Sequence, residues 1–347
     1  MRVSVTGGSG FIGSKFIELF ADKFKSIKSL DSKSFPLDNY EQILDATKDI
    51  DILVHTAFDH NYKNNISGIK NILKACEQNG IKKLIHISTV SVYEPDAKGV
   101  LNENSPYSKL NDPYSKEKRK IEQEIEKYKN RAFDIIILQP TIVYGLGGNW
   151  TKYALHVCKA KEVRLSDSGN TVCNAVHVDD VANAIYQSCL SNVKFEKFLI
   201  SGKGTITWKE FYSRHCELLR ELNLPSNCDI QNSTNENEFH KKKLVDVVFQ
   251  LWFKTPFGNV FDLMIGVLKK LRAKSYSNTN SKEELKEFLQ SEVSENILEP
   301  LAITKKVHDC DFEIESSKAK EQLKYQPLVN FDDGMSCFKR NLIKILK

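Results

Sequence analysis

Thr6-Gly7-Gly8-Ser9-Gly10-Phe11-Ile12-Gly13 decides how this chain is read. The octapeptide follows the β-rich run Val3-Ser4-Val5-Thr6 and opens an amphipathic stretch from Phe11 to Phe24, so the spacing predicts strand, glycine turn and helix in succession. Gly8, Gly10 and Gly13 satisfy the G-x-G-x-x-G spacing. Such glycines allow a tight turn and let backbone N–H groups approach a pyrophosphate at the positive end of the helix, while the last lets helix and strand pack closely. The expected cofactor-binding residues here are Gly7, Gly8, Ser9, Gly10, Phe11, Ile12 and Gly13. Asp31 ends a second strand about 20 residues beyond the loop, where a carboxylate accepts hydrogen bonds from ribose hydroxyls and repels a 2′-phosphate. Lys33 lies near enough to soften that repulsion, so the expected cofactor is NAD, with NADP still open.

Outward from the loop, short β-rich runs alternate with amphipathic stretches, the pattern of a parallel sheet covered by crossover helices. Strands are expected at Ser26 to Leu30, Ile50 to His55, Lys83 to Ser88 and Phe133 to Leu138. Ile66, Ile69, Leu73 and Cys76 make one helical stripe that Gly80 can terminate. Beyond Gly145 the regularity weakens into a helix near Lys152 to Lys161, a strand at Val163 to Leu165, a helix at Asp179 to Leu190 and a strand at Lys197 to Ser201. Leu224 to Lys243 and Lys274 to Lys282 have the Asn, Ser, Glu and Lys bias of surface loops. The apolar face of Val260 to Leu271, followed by Lys269, Lys270, Arg272 and Lys274, fits a lid over a pocket, with a membrane-surface helix as the alternative.

Composition narrows the class. The 347 residues are 41% hydrophobic and 27% charged, as in ordinary globular proteins, and a net charge of +5 over this length is too dilute to imply nucleic acid. The eight cysteines form no C-x-x-C pair and the eight histidines lack ligand spacing, so no metal site is expected and a reducing cytoplasm is the simplest setting. No signal core follows the N-terminus, and the most apolar window, Leu251 to Leu268, is broken by Lys254, Pro256, Gly258 and Asp262. Neither export nor a transmembrane span is expected.

Pro113-Tyr114-Ser115-Lys116-Glu117-Lys118 introduces a helix whose Ile121, Ile125 and Tyr128 fall at helical spacing, with charged residues assigned to the opposite face. Four residues bring Tyr114 and Lys118 about 6 Å apart along the axis, close enough for the ammonium to favour a tyrosinate. A phenol with a pKa of about 10 is a poor base at neutral pH, so proton transfer needs both residues. Thr89 closes the fourth strand, at the carboxyl edge where open α/β sheets bind ligands, and its hydroxyl can hydrogen-bond a reacting hydroxyl or carbonyl. Thr89, Tyr114 and Lys118 are therefore the candidate catalytic set. His55 and Ala57, at the end of the third strand, could flank a cofactor ribose, a buried structural His55 being the equal alternative.

With these pieces placed, the chain resembles the extended short-chain dehydrogenase/reductase superfamily, specifically the NAD-dependent epimerase/dehydratase family of nucleotide-sugar enzymes and their hydroxysteroid- and flavonol-reductase relatives. The likeness adds Gln139-Pro140-Thr141-Ile142-Val143-Tyr144-Gly145, Asn174-Ala175-Val176-His177-Val178-Asp179-Asp180-Val181, Thr207-Trp208-Lys209-Glu210-Phe211 and Phe312-Glu313-Ile314 followed by Ser317-Lys318-Ala319. It implies a Rossmann-type doubly wound parallel sheet with a smaller C-terminal α/β substrate domain. It further implies that Thr89, Tyr114 and Lys118 occupy the family's catalytic positions, Tyr114 and Lys118 also contacting the cofactor, and that Pro140 and Val143 lie near the nicotinamide. Three departures bear on substrate. Cys173 stands where many nucleotide-sugar members place a diphosphate-holding arginine, Pro140-Thr141 replaces an asparagine, and Phe58 replaces a small residue. Asp179 and Asp180 are expected to cap a helix.

The expected division is mainly a nucleotide-binding domain over 1–172, to which 173–201 returns, and mainly a substrate domain over 202–347 with a lid or insertion over 224–307, residues 146–172 also contributing to the smaller unit. Three readings follow. The first is an epimerase, dehydratase or reductase of a nucleotide-sugar-like substrate, the second a reductase or dehydrogenase of an apolar steroid-, flavonol- or lipid-like alcohol, and the third a non-catalytic NAD sensor. A homodimer is compatible with each.

Overall fold

The computed structural model describes residues 1–31, 35–59, 62–94, 99–109, 112–232, 281–295, 297–298, 307–309 and 311–347. Lys33, the Val260 to Leu271 segment and most of the 224–307 insertion lie outside them. The chain divides into two compact units, one of residues 1–144, 174–204 and 312–330, the other of 145–173, 205–311 and 331–347. Residues 145–172 thus group with the second unit rather than with the 1–172 block, and 312–330 return to the first.

The first unit is organised by a six-stranded parallel sheet. Its strands are β1 (Arg2–Thr6), β2 (Ser26–Leu30), β3 (Ile52–His55), β4 (Lys83–Ile87), β6 (Asp134–Pro140) and β11 (Phe195–Ile200), in the order β11-β6-β4-β3-β1-β2. The outer pairings are registered by Thr6 opposite Leu30 and Ile200 opposite Pro140. Both faces of a sheet covered by crossover helices must be apolar. Accordingly Ile52, Val54, Ile85, Ile87, Ile136 and Leu138 join one core with Phe16 of α1 (Phe11–Phe20) and Val181 and Ile185 of α6 (Val178–Leu190). The alternate residues Leu53, Leu84, Ile135 and Ile137 join another with Ile69 and Leu73 of α3 (Tyr62–Gln78) and Ile121 and Ile125 of α4 (Pro113–Glu126). The helix α2 (Tyr40–Ala46) completes the second layer through Ile43. Two short pairs extend this unit, β5 (Gly99–Leu101) with β15 (Phe312–Ile314) and β7 (Ile142–Tyr144) with β10 (Ala175–His177), all parallel.

The second unit surrounds a smaller core of Leu155, Cys158, Cys216, Leu219, Leu289, Met335 and Phe338. Its helices include α5 (Asn149–Val157) and α7 (Trp208–Glu221), with further helices at Ser281–Gln290 and Phe331–Leu346. Thr207 and Glu210 start α7 with a reciprocal capping box. β8 (Glu162–Leu165) pairs in parallel with β13 (Ile230–Asn232) and β14 (Ile297–Leu298), and β9 (Val172–Cys173) pairs antiparallel with β12 (Ile206–Thr207). Within the stretch Leu224 to Lys243 expected as a surface loop, residues 233–243 lie outside the described residues, and 230–232 form the strand β13 instead: Asn227 donates its backbone N–H to Cys158 O at 2.8 Å and delivers Ile230 to Val163. Among the described residues no helix is long and apolar enough to cross a membrane.

Candidate active site

The parallel sheet brings the carboxyl ends of β1, β3, β4 and β6 to one edge, and the expected site residues of the first unit follow those ends. After β1 the backbone turns at Gly7, whose φ of +66° favours glycine and where a Cβ would meet the Ala57 backbone at 2.8 Å. A Cβ at Gly13 would press on Gly7 O and on Thr56 Oγ1. Gly10 donates to Gly7 O at 2.9 Å and becomes the N-cap of α1, with no side chain capping the helix and no acidic residue in its first turn. The start of α1 thus has neither a side-chain cap nor an acidic residue in its own first turn, as suits an anion site at a helix N-terminus. Asp31 directly follows β2, whose Leu30 carbonyl accepts from Gly7 N–H at 2.9 Å.

Thr6 ties this loop to β3. Its Oγ1 lies 2.7 Å from His55 Nδ1 and accepts from Ala57 N–H at 3.3 Å, while Thr56 Oγ1 donates to Thr6 O at 2.7 Å. His55 is buried, and desolvation, helped by the Lys118 charge, brings its pKa down to about 3. The imidazole is a neutral hydrogen-bonding group.

Asp112 accepts from Ser115 N–H at 2.8 Å and Pro113 stands in the first turn, which fixes the start of α4. Tyr114 is half-buried, and its side chain is hydrogen-bonded with that of Thr89, the residue two beyond Ile87. Thr89 Oγ1 also accepts from Ser91 N–H at 3.2 Å. One turn along α4, Lys118 is buried, donates to Ile87 O at 3.2 Å and sits 4.9 Å from the Phe58 ring centre and 6.0 Å from that of Tyr114. The rings of Phe58 and Tyr114 meet edge-on at 5.9 Å. Candidate donor, phenol and ammonium are therefore assembled together, with Phe58 as their apolar wall.

Their electrostatics differ from the sequence expectation. Desolvation pushes the Tyr114 phenol up to about 12, and the listening partner that opposes the rise is the Thr89 hydroxyl rather than Lys118. Lys118 itself is brought down to about 8 by burial, against the pull of Glu117 and Glu122. Its ammonium points to the Ile87 carbonyl and the Phe58 face, which explains why it does not dominate the phenol.

The sequence reading missed two carboxylates of α4. Glu117 and Glu122 were expected on the charged face, but both are buried. Glu117 accepts from Asn65 Nδ2 at 2.5 Å, and desolvation pushes it up to about 7. Glu122 accepts from Ser88 Oγ, from Gln139 Nε2 at 2.9 Å and from Tyr107 Oη at 2.9 Å, and burial raises its pKa. The signal was present in the spacing: residues 114, 117, 118, 121, 122 and 125 make one helical face.

Pro140 ends β6 and is buried, Val143 is half-buried in β7, and the intervening Thr141 Oγ1 is buried without a hydrogen-bond partner among the described residues. At α6 the N-cap is His177, whose Nδ1 accepts from Asp179 N–H at 3.3 Å. Asp180 is not a cap either: it accepts from Leu328 N–H at 2.8 Å and from Val329, and burial pushes its pKa up to about 6. In the second unit Cys173 is fully buried in β9, Arg164 is paired with Glu162 at 2.6 Å, and burial lowers the pKa of Lys152.

Comparison with known proteins agrees with this architecture. A curated relative, the N-acetyl-alpha-D-glucosaminyl-diphospho-ditrans,octacis-undecaprenol 4-epimerase of Escherichia coli O157:H7, is 31% identical over 166 residues, 42% of this chain and 49% of that protein. The 3 beta-hydroxysteroid dehydrogenase/Delta 5-->4-isomerase of Monkeypox virus is 27% identical over 221 residues, 53% of this chain and 62% of that protein. The chain thus spans about half to two thirds of the length of these relatives. Among solved structures, the UDP-glucose 4-epimerase of Thermotoga maritima superposes over 100% of both chains with a TM-score of 0.67 at 16% identity, a likeness of fold. The family described as "NAD dependent epimerase/dehydratase family" matches residues 3–201, more than half of the sequence. By that match, and by a sheet edge that carries both the glycine loop and the Tyr114 helix, the chain belongs to the NAD dependent epimerase/dehydratase family.

Proposed function

We propose that the chain binds NAD at the glycine loop and, with Thr89, Tyr114 and Lys118, interconverts a hydroxyl and a ketone on a nucleotide-sugar-like substrate. The observation that carries this reading is the Thr89–Tyr114 hydrogen bond beside the buried Lys118, at the edge that also carries the uncapped start of α1. The residues fit the cofactor. Gly7 and Gly13 let the turn close against Ala57, Thr56 and its own backbone where a Cβ would clash, the first turn of α1 offers N–H groups to a pyrophosphate, and Asp31 follows β2 where an adenosine ribose would be read. NAD, when bound, supplies the hydride acceptor and donor. Asp31 favours NAD over NADP, which remains the alternative cofactor.

Thr89 holds the substrate oxygen, and Tyr114 Oη takes up or returns its proton. In the cofactor-free chain the phenol is held protonated at neutral pH, so Tyr114 starts as an acid. It becomes a base only when positive charge is added beside it. Lys118 does not lower the phenol in the cofactor-free chain, and its own pKa of about 8 makes its protonation a condition of activity near that pH. Phe58 covers the ammonium and excludes water from it.

Support for a diphosphate-bearing sugar comes from the glycosyl-diphospho-polyprenol epimerase among the relatives and from the sugar-nucleotide epimerase fold. The second reading, an apolar alcohol or ketone, is favoured by one residue: buried Cys173 supplies no cation for a diphosphate. Incubation with NAD and UDP-, GDP- or dTDP-sugars, or with a steroid and lipid alcohol panel, followed by thermal-shift and product analysis by NMR, separates the two. Conversion of a sugar nucleotide supports the first reading, and conversion of only apolar alcohols replaces it with the second. Binding of NAD with no turnover on either panel returns the sensor reading.

A further inference from the structure

Three cysteines far apart in sequence meet in the second unit. Cys158, the residue that caps the end of α5, and Cys216, in the middle of α7, are buried with their sulfurs 2.8 Å apart. Cys228 is half-buried and hydrogen-bonded through its thiol to Cys216. Cys216 is the shared member, since its Sγ also reaches Asn227 O at 3.3 Å.

The backbone holds this arrangement. Asn227 N–H donates to Cys158 O at 2.8 Å, and the Lys159 ammonium donates to the carbonyls of Pro225 at 2.6 Å, Leu289 at 2.8 Å and Ser291 at 2.6 Å. The 225–228 segment is therefore tied to the end of α5, with Cys228 half-buried against the core of the second unit. A disulfide needs its sulfurs at about 2.0 Å, so the 2.8 Å approach of Cys158 and Cys216 leaves a movement of less than an ångström at the sulfurs.

We propose that Cys228, Cys216 and Cys158 form a thiol relay that a low-molecular-weight disulfide oxidises to a Cys158–Cys216 disulfide, joining α5 to α7. In the first exchange the Cys228 thiolate attacks oxidised glutathione, forming a mixed disulfide and releasing one glutathione thiol. Cys216 then attacks Cys228 Sγ and releases the second. Finally Cys158 attacks Cys216 Sγ, and Cys228 leaves as a thiol. One disulfide and two protein thiols become one protein disulfide and two glutathione thiols, so two electrons and two protons pass to glutathione. The hydrogen bond with Cys158, with burial, raises the Cys216 thiol, and the hydrogen bond with Cys216, with burial, raises that of Cys228, so exchange speeds up as the pH rises.

The test uses the full chain, reduced and then held in oxidised glutathione at several pH values from 7 to 9. The expected result is a loss of about 2 Da with no retained glutathione, a Cys158–Cys216 peptide in non-reducing digests, and a faster reaction at higher pH. Cys228→Ser, at the half-buried position, should fold normally and slow the oxidation at least about tenfold, because the entry thiol is gone. The relay is overturned by an unchanged wild-type mass, by a disulfide between any other pair, or by a Cys228→Ser rate equal to that of the wild type. The wild-type mass and digest need no variant, so a Cys228→Ser chain that fails to fold leaves the test standing.

Discussion

Between residues 6 and 13 the chain offers a ligand backbone, and between 113 and 122 it offers buried charge. The glycine loop contains no ionisable side chain, and its geometry follows from Gly7 at φ +66° and from the close packing at Gly13, where a Cβ would press on Gly7 O. The α4 face places Glu117, Lys118 and Glu122 out of water, beside a half-buried Tyr114. A site made of backbone dipoles is insensitive to pH and sensitive to volume, whereas a site made of desolvated charges is the reverse. Substitutions in the two regions should therefore fail in different ways.

The largest effect is expected in the charged region. Tyr114→Phe keeps the ring against Phe58 and removes only the proton carrier, so turnover should fall by at least the ~10²-fold typical of a positioned acid–base group. NAD affinity should be retained, as checked by fluorescence titration. Lys118→Met should lose both turnover and NAD affinity, because the same ammonium is proposed to meet the ribose. A Tyr114→Phe enzyme with near-normal turnover would falsify the proton-transfer role.

The backbone region should respond in binding alone. Gly7→Ala brings a Cβ within 2.8 Å of the Ala57 backbone at a φ that L residues rarely adopt. NAD affinity should drop about tenfold or more, corresponding to about 1.4 kcal/mol, with no change in the pH at which binding is lost. Calorimetric titration at pH 6.5 and 8.5 checks both halves of that statement, and an unaltered affinity would remove the loop from the cofactor site.

These two regions were not equally legible in the sequence. The loop could be read because backbone geometry has few solutions: only glycine fits Gly7, and the strand before it and helix after it carry their own periodicities. The sheet was legible for the same reason, with its strand ends displaced by a residue or two. The α4 site was half legible. Tyr114 and Lys118 stood at the right spacing, but Glu117 and Glu122 look like solvent-facing charges until their partners are known. Those partners are distant in sequence: Asn65 comes from α3, Ser88 follows β4 and Gln139 lies in β6. Desolvation, which sets the pKa of Tyr114 and Lys118, is a property of the packed state and leaves no local pattern. The thiol cluster was illegible likewise, since Cys158 and Cys216 are brought together only by the packing of α5 on α7.

Glu117 gives the sharpest test of the charged region. Lys118 loses its proton as the pH rises through about 8, so NAD affinity should fall there. The Glu117 carboxylate raises the Lys118 pKa, and Glu117→Gln removes that charge while keeping an acceptor for Asn65. The fall in affinity should then move to lower pH, and an unchanged midpoint would break the coupling. Stability supplies an independent readout. With its folded pKa raised to about 7, Glu117 contributes stability that is full below its ordinary 4.5 and lost as the pH rises through about 7. Glu117→Gln should remove that part of the pH dependence of denaturant midpoints.

The smallest effect is expected at Asp31, which stands between the two regions in kind, being a side chain that reads a sugar from the end of a strand. Its carboxylate is placed after β2, whose Leu30 carbonyl already accepts from Gly7 N–H, so the ribose reader and the pyrophosphate loop share one hydrogen-bonded frame. Asp31→Ala deletes the acceptor without touching the loop. NAD affinity should therefore weaken by only a few-fold, and NADP affinity should rise or hold because the repulsion of a 2′-phosphate is gone, so that the preference narrows from both sides. Parallel titrations of both cofactors against wild type and variant decide the matter. A wild-type chain that binds NADP about tenfold more tightly than NAD, a difference of about 1.4 kcal/mol, would overturn the role of Asp31. It would leave the glycine loop intact, because the pyrophosphate is common to both cofactors.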